Sequence, residues 1–189
     1  TRLGQRKAML IGSVGGLITN GILAALWLFG DPTTMTSNPE TGALNWGYFL
    51  ILYLVLTIIA AGFQGISGNI VIPMTADCAD YEVYRTGKYV PGLMGTLFSF
   101  VDKLVSSLAT TLVALFYSMA GFKDALPDTL TPYSDGIFWA TIGCFVLLPI
   151  VGWLCNVVAM HFYPLTKEKM EEIQAEIGRI KAEAAAKQA

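Results

Sequence analysis

The chain has 189 residues, of which 54% are hydrophobic and only 14% are charged, and its formal net charge is -2 at pH 7. An average soluble domain carries roughly 25% charged residues, so this composition indicates a membrane protein. The slight negative charge excludes a broad basic surface, and nucleic acid is not expected as a partner. Cys78, Cys144 and Cys155 follow no CxxC or Cys/His spacing, which argues against a disulfide framework and a zinc site.

Four apolar stretches are long enough to cross a bilayer, which takes ~20 residues in a helix. They cover residues 8–29, 46–74, 92–121 and 136–163. An open sheet cannot be exposed to lipid, and the alternating segments of a barrel are absent. We therefore predict an all-α integral membrane protein with a four-helix transmembrane domain at 1–163.

The basic residues predict the orientation of the spans. Ten of the 12 Lys and Arg residues fall on one side of the predicted membrane, namely Arg2, Arg6, Lys7, Arg85, Lys88, Lys167, Lys169, Arg179, Lys181 and Lys187. Lys123 lies on the other side, and Lys103 lies within a span. The positive-inside rule then places both termini and a loop at 75–91 in the cytoplasm of a multi-pass protein of the cell membrane.

The tail, residues 164–189, has a different composition from the spans. Apolar side chains recur in it every three or four residues, at Met170, Ile173, Ile177, Ile180 and Ala184. This spacing predicts a cytoplasmic amphipathic helix. Its apolar stripe can dock on the transmembrane body, lie at the membrane surface or pair with another helix.

Polar residues divide the spans into two kinds. The first and fourth are mostly aliphatic and aromatic, with Asn20 and Asn156 as exceptions, and we predict that they are peripheral. The second carries Gln64 and Asn69 among several glycines, which predicts a face turned to the protein interior. Gly12 and Gly16 in the first span form a GxxxG pair, which we interpret as a packing contact.

The third span carries a polar stripe with two charges. Ser99, Lys103 and Ser106 are spaced by four and three residues, so they share one helix face, and Asp102 adjoins it. A charge at the bilayer centre costs ~2.5–3.5 kcal/mol even on lenient insertion scales, and such residues usually face a bundle interior or an aqueous cavity. Snorkelling of Lys103 to the surface is the structural alternative, but it requires a reach of about 15 Å.

One segment resembles a known transporter family. Residues 76–122, "ADCADYEVYRTGKYVPGLMGTLFSFVDKLVSSLATTLVALFYSMAGF", are similar to the glycoside-pentoside-hexuronide/cation symporters of the major facilitator superfamily. The resemblance rests on Asp77, Asp80, Tyr81, Glu82, Thr86, Gly87 and Lys103. The opening "TRLGQRK" is similar to the end of the basic loop that precedes helix nine in that superfamily. The four spans then correspond to helices nine to twelve of a C-terminal bundle.

The resemblance implies a function that four helices cannot perform alone. It implies cation-coupled symport of a sugar or glycoside by alternating access, with sodium or a proton as the coupling ion and no cofactor. The chain is then expected to need the remaining N-terminal helices or a second copy of itself, besides the lipid bilayer. Lys103 matches the family's coupling lysine, and Ser99 lies one turn earlier, where it can approach sugar. The predicted substrate and coupling residues are Lys103, Asp102, Ser99, Ser106, Gln64 and Asn69.

The acidic segment after the second span predicts a cytoplasmic gate. Asp77, Asp80, Glu82 and Arg85 are expected to form charge pairs and caps that latch the second and third helices together, and no metal site is expected. No catalytic motif accompanies the lone His161, so an enzyme is not expected. Two alternatives stay open: a self-associating half-transporter or pore, and a membrane interaction module that transports nothing.

Overall fold

The computed structural model describes residues 4–35, 45–123, 125–128 and 131–186, which are helical for most of their length and contain no strand. The helices are α1 (Gln5–Phe29), α2 (Tyr48–Thr86), α3 (Pro91–Met119), α4 (Asp135–Ile142), α5 (Leu148–Phe162) and α6 (Lys167–Ala186). A π-helical segment, Gly143–Leu147, joins α4 to α5, so Asp135–Phe162 forms one fourth span. Four helices are long and apolar enough to cross a membrane, which confirms the predicted all-α membrane fold.

Glycines of α1 set the close contact between α1 and its neighbours. A Cβ added at Gly12 would collide with the Ser67 hydroxyl of α2, and one at Gly16 would lie 2.6 Å from the Trp153 ring of α5. A side chain at either position would therefore require the contacting group, or the helix that carries it, to shift away from α1. The predicted packing role of this glycine pair is confirmed.

The burial of α1 differs from the prediction that it is peripheral. It packs against both α2 and α5. Of its 18-residue apolar stretch 39% is buried, against 11% of the corresponding stretch of α2. Ser13, Thr19 and Asn20 are buried on it and donate hydrogen bonds to carbonyls one turn earlier in the helix. The described part of the chain is therefore organised around α1, which holds α2 and the fourth span together.

The predicted loop at 75–91 is wrong over most of its length. α2 continues through Pro73 and ends only at Thr86, where Gly87 adopts a left-handed conformation with φ of 73°. The loop is thus limited to residues 87–90, after which Pro91 begins α3 as expected. Glycine ends a helix at this position because it enters the left-handed region at little steric cost.

Pro149 accompanies an irregular helical turn in the fourth span. The ring nitrogen of proline cannot donate to the helix, and the π-helical segment Gly143–Leu147 lies directly before α5, in which Pro149 is the second residue. Single π-helical turns relieve such defects and often lie at functional sites. Here the irregular turn places Phe145 and Val146 in the wall of a cleft.

The tail helix docks on the transmembrane body. Leu165, Ile173 and Ile177 are buried against the last turns of α2, where they pack on Cys78, Tyr81, Val83 and Tyr84. Of the three arrangements left open by the sequence, the structure shows docking. Ile180 of the predicted stripe is 43% exposed, and the side chain of Ala184 lies outside the described residues.

Candidate functional site

The polar stripe of α3 lies on an uncovered helix. α3 is described over its whole length, and none of its residues is buried. Ser99 and Ser106 are exposed together with the two charges between them. The stripe therefore keeps the arrangement predicted from its spacing, on a surface with no neighbour among the described residues.

Asp102 and Lys103 come near each other at their charged ends, although neighbouring residues of a helix point about 100° apart. The Lys103 Nζ is 4.0 Å from the Asp102 Oδ2, and the two side chains are 85% and 52% exposed. A pair at this distance and exposure contributes little attraction. Neither charge is therefore neutralised by a close buried partner within the described chain.

The far end of α3 does contact the fourth span. Tyr117 and Thr141 share a hydrogen bond of 3.1 Å between their hydroxyls, and a Cβ added at Gly143 would lie 2.9 Å from the Phe116 ring. These contacts attach α3 at the end that is distant from the predicted cytoplasmic loops. The segment that carries Ser99 to Ser106 extends away from the attachment.

A cleft of about 760 Å³ lies between α1, α2 and the fourth span. Gln64 faces this cleft and not the stripe of α3. Two further amides line the cleft, together with aromatic rings and hydroxyl groups, and the residues are Asn20, Trp27, Tyr53, Thr57, Thr141, Trp153 and Asn156. None of these seven residues belongs to the set of site residues predicted from the sequence, although Asn20 and Asn156 are amides in otherwise apolar spans.

The three amides keep hydrogen-bonding capacity toward the cleft. The Asn20 amide nitrogen donates to the Gly16 carbonyl at 2.8 Å, which leaves its side-chain oxygen as an acceptor. Asn156 donates to the Met9 sulfur at 3.6 Å, a weak bond. Gln64 makes no hydrogen bond with the described residues. Amides beside Trp and Tyr rings can orient a hydroxylated ligand, because they supply donors and acceptors next to apolar faces.

Asn69 lies apart from both places. Its amide nitrogen donates to the Gly65 carbonyl at 2.7 Å, and its side chain is exposed on α2. The structure therefore divides the predicted set of site residues among the α3 stripe, the cleft at Gln64 and a separate position at Asn69. It does not bring the six residues together.

The predicted cytoplasmic gate contacts other helices than expected. Asp77 lies beside Gln5 of α1 in the lining of one small cavity, and Asp80 accepts from the Gln174 amide of α6. Glu82 and Arg85 form no ion pair within the described residues. Within the described residues these contacts attach α2 to α1 and α6, and a latch between the second and third helices stays a prediction.

The tail adds polar contacts around its apolar interface. The Tyr84 hydroxyl donates to Glu172 at 3.3 Å, and the Lys169 ammonium lies 5.1 Å from the centre of the Tyr84 ring. Lys169 also donates to both oxygens of Glu172 at 2.9 Å, which lowers the pKa of Glu172 and raises the pKa of Lys169. These exposed polar groups align α6 on α2. They contribute little stability, so the apolar side chains hold the two helices together.

Comparison with protein families identifies the fold as that of a transporter. Residues 1–167 match the model of the family described as MFS/sugar transport protein. The chain belongs to this family. The resemblance predicted from residues 76–122 is thereby confirmed, and the four spans are those of a membrane transport family.

A curated relative agrees with this assignment. The "Glucuronide carrier protein homolog" of Escherichia coli (strain K12) is 27% identical over 179 residues, which cover 93% of this chain. The match covers 33% of the relative, so the chain spans about a third of the length of that protein. No solved structure matches the chain significantly. The MFS assignment therefore rests on sequence comparison together with the four spanning helices.

Proposed function

We propose that this chain forms the C-terminal portion of a secondary active transporter that moves a sugar or glycoside together with a cation. The family match supports a transporter, and the relative named as a glucuronide carrier homolog supports a hexuronide or related glycoside as substrate. Alternating access fits this family, since one bundle of helices rocks against another around a site near the membrane midplane. The coupling ion is sodium or a proton, and no cofactor is involved.

The uncovered charged stripe of α3 is the observation that carries this proposal. Lys103 is 85% exposed in the middle of a span, and no described residue covers it. Because a charge facing lipid at that depth is costly, α3 is expected to face further helices or an aqueous cavity. At a seam between two helix bundles, α3 would face the helices of the opposing bundle in one state of transport and an aqueous cavity in the other.

The positions of the side chains suggest how coupling works. Lys103 attracts carboxylates of the opposing bundle when the cation is absent, and the arriving cation replaces it. Asp102 steadies the ammonium from 4.0 Å or contacts the opposing bundle. Ser99 and Ser106 supply hydroxyl groups on the α3 stripe for the hydroxyls of a glycoside, and Gln64 supplies an amide from the separate cleft.

The membrane, the orientation of the termini and the partner helices follow from the same proposal. The spans lie in the cell membrane with both termini in the cytoplasm, as the basic residues indicate. Arg2 and Lys187, which contribute to that assignment, lie outside the described residues. Helices of the remaining transporter cover α3, and a second copy of the chain is the alternative occupant.

Substrate protection of a cysteine on the stripe tests the proposal. Ser99→Cys is placed in a transporter that contains this chain and lacks Cys78, Cys144 and Cys155. Leu108→Cys is the matched control, because it is also exposed but lies about 180° around α3. We expect a glucuronide with the coupling cation to slow alkylation at position 99 by maleimide and to leave position 108 unchanged. Equal protection at both positions, or none at position 99 with any glycoside, would contradict the proposal.

A further inference from the structure

A second, smaller cavity lies where the beginnings of α1 and α6 meet. Its volume is about 240 Å³, and it opens at the end of the molecule that carries the tail. Its lining combines basic, polar and apolar side chains, namely Arg6, Lys7, Leu10, Thr166, Lys167 and Glu168. Neither the transport mechanism nor the tail docking uses this cavity.

Positive charge predominates in the cavity. Arg6 donates to the Met160 carbonyl at 3.1 Å and to the His161 carbonyl at 3.2 Å, so it also ties α1 to the end of α5. Lys7 forms no hydrogen bond or ion pair with the described residues, although the Glu168 carboxyl lines the same cavity. Lys167 reaches Glu171 only at 3.7 Å, in an exposed pair. The cavity thus has cationic groups available to an anion.

An aliphatic stripe extends along α1 from the cavity. Ile11, Val14 and Ile18 follow Lys7 at spacings of four, three and four, so they share its helix face, and they are 50%, 42% and 58% exposed. Lys7 and Ile18 are separated along the helix axis by about 16 Å, which is close to the thickness of one leaflet of a hydrocarbon core of ~30 Å. A basic cavity therefore continues into an apolar face of leaflet length.

We propose that this surface binds one anionic phospholipid, whose phosphate lies between Lys7 and Lys167 and whose acyl chains lie along Ile11, Val14 and Ile18. Basic cavities at the cytoplasmic ends of transmembrane helices attract anionic headgroups. A soluble phosphate compound would satisfy the two ammonium groups but not the aliphatic stripe. The inference depends on membrane insertion and not on the proposed transport.

Lipid binding in detergent to the transporter that contains this chain tests this inference. Native mass spectrometry compares phosphatidylglycerol with phosphatidylcholine for the wild type, for Lys7→Gln/Lys167→Gln and for the control Lys88→Gln/Lys123→Gln. Both double variants remove the same charge from exposed lysines, and the control pair lies outside the cavity. Because each lysine near a headgroup contributes on the order of a fivefold change, we expect the first variant to bind phosphatidylglycerol at least tenfold more weakly. The control should stay within about twofold of the wild type.

Further arms separate the possible causes. The double variant Lys7→Arg/Lys167→Arg should bind phosphatidylglycerol as the wild type does, and all variants should keep the circular dichroism of the wild type. Equal loss in the control variant would contradict the inference, because the effect would then be one of net charge. Displacement of phosphatidylglycerol by millimolar inorganic phosphate would also contradict it, since the site would then take a soluble anion.

Discussion

At the scale of single residues, small side chains decide how closely the helices approach. Gly12 and Gly21 are both glycines of α1, but only Gly12 lies against another helix. A Cβ at position 12 would collide with the Ser67 hydroxyl, whereas a Cβ at position 21 would meet no atom within 4 Å. Two glycines of one helix, which have the same intrinsic helix propensity, thus have different neighbours.

This difference predicts opposite outcomes for one substitution. Gly12→Ala should destabilise the chain by about 1–3 kcal/mol, because Ser67 or the whole of α2 must shift. Gly21→Ala should be neutral or stabilising by up to about 1 kcal/mol, since alanine favours a helix more than glycine does. Thermal unfolding in detergent, followed by tryptophan fluorescence, measures both. A midpoint for Gly12→Ala equal to that of Gly21→Ala would mean that α1 and α2 are not in close contact.

Residue spacing predicted some of the candidate site and not the rest. Ser99, Lys103 and Ser106 share a face because helical periodicity fixes the directions of side chains on one helix. The same periodicity says nothing about which neighbour that face meets. For this reason Gln64 was assigned to the same site as the α3 stripe, whereas it faces a cleft with Asn20 and Asn156.

At the scale of elements, α2 and α6 depend on each other. Without α6, the last turns of α2 would expose Cys78, Tyr81 and Tyr84, and without α2 the tail would expose Ile173 and Ile177. The sequence predicted the tail helix from its stripe but not its partner. It also placed the end of α2 too early, because Pro73 and the following charges resemble the end of a span. Membrane helices tolerate internal proline when neighbouring groups compensate for the lost hydrogen bond.

The buried stripe makes the docking of the tail testable. Ile173→Ala removes a fully buried side chain, and such truncations cost about 2–5 kcal/mol. Amide hydrogen exchange in α6 should therefore become at least tenfold faster, as docking is weakened. Ile180→Ala is the control on the same helix, because Ile180 is 43% exposed and its truncation should change exchange little. Unchanged protection in Ile173→Ala would show that α6 does not depend on this contact.

At the scale of the whole molecule, the four spans are unequally covered. One side of α1 packs against α2 and α5, whereas α3 has no buried residue and turns its charges outward. The chain also corresponds to only 33% of the relative that it matches. An uncovered amphipathic membrane helix is expected to pack on further helices, which supplies the missing partners of Lys103 and Asp102 in our account.

Gradient-driven uptake measures whether Lys103 couples substrate to the cation. Accumulation of a radiolabelled glucuronide is measured in membrane vesicles that contain the transporter with this chain, with and without an inward sodium or proton gradient. The wild type and the control Lys123→Gln should accumulate substrate only with the gradient. Lys103→Gln should lose accumulation but retain exchange of internal for external substrate, at equal abundance in the membrane. Accumulation by Lys103→Gln equal to that of the wild type, or uptake that ignores both gradients, would contradict the account.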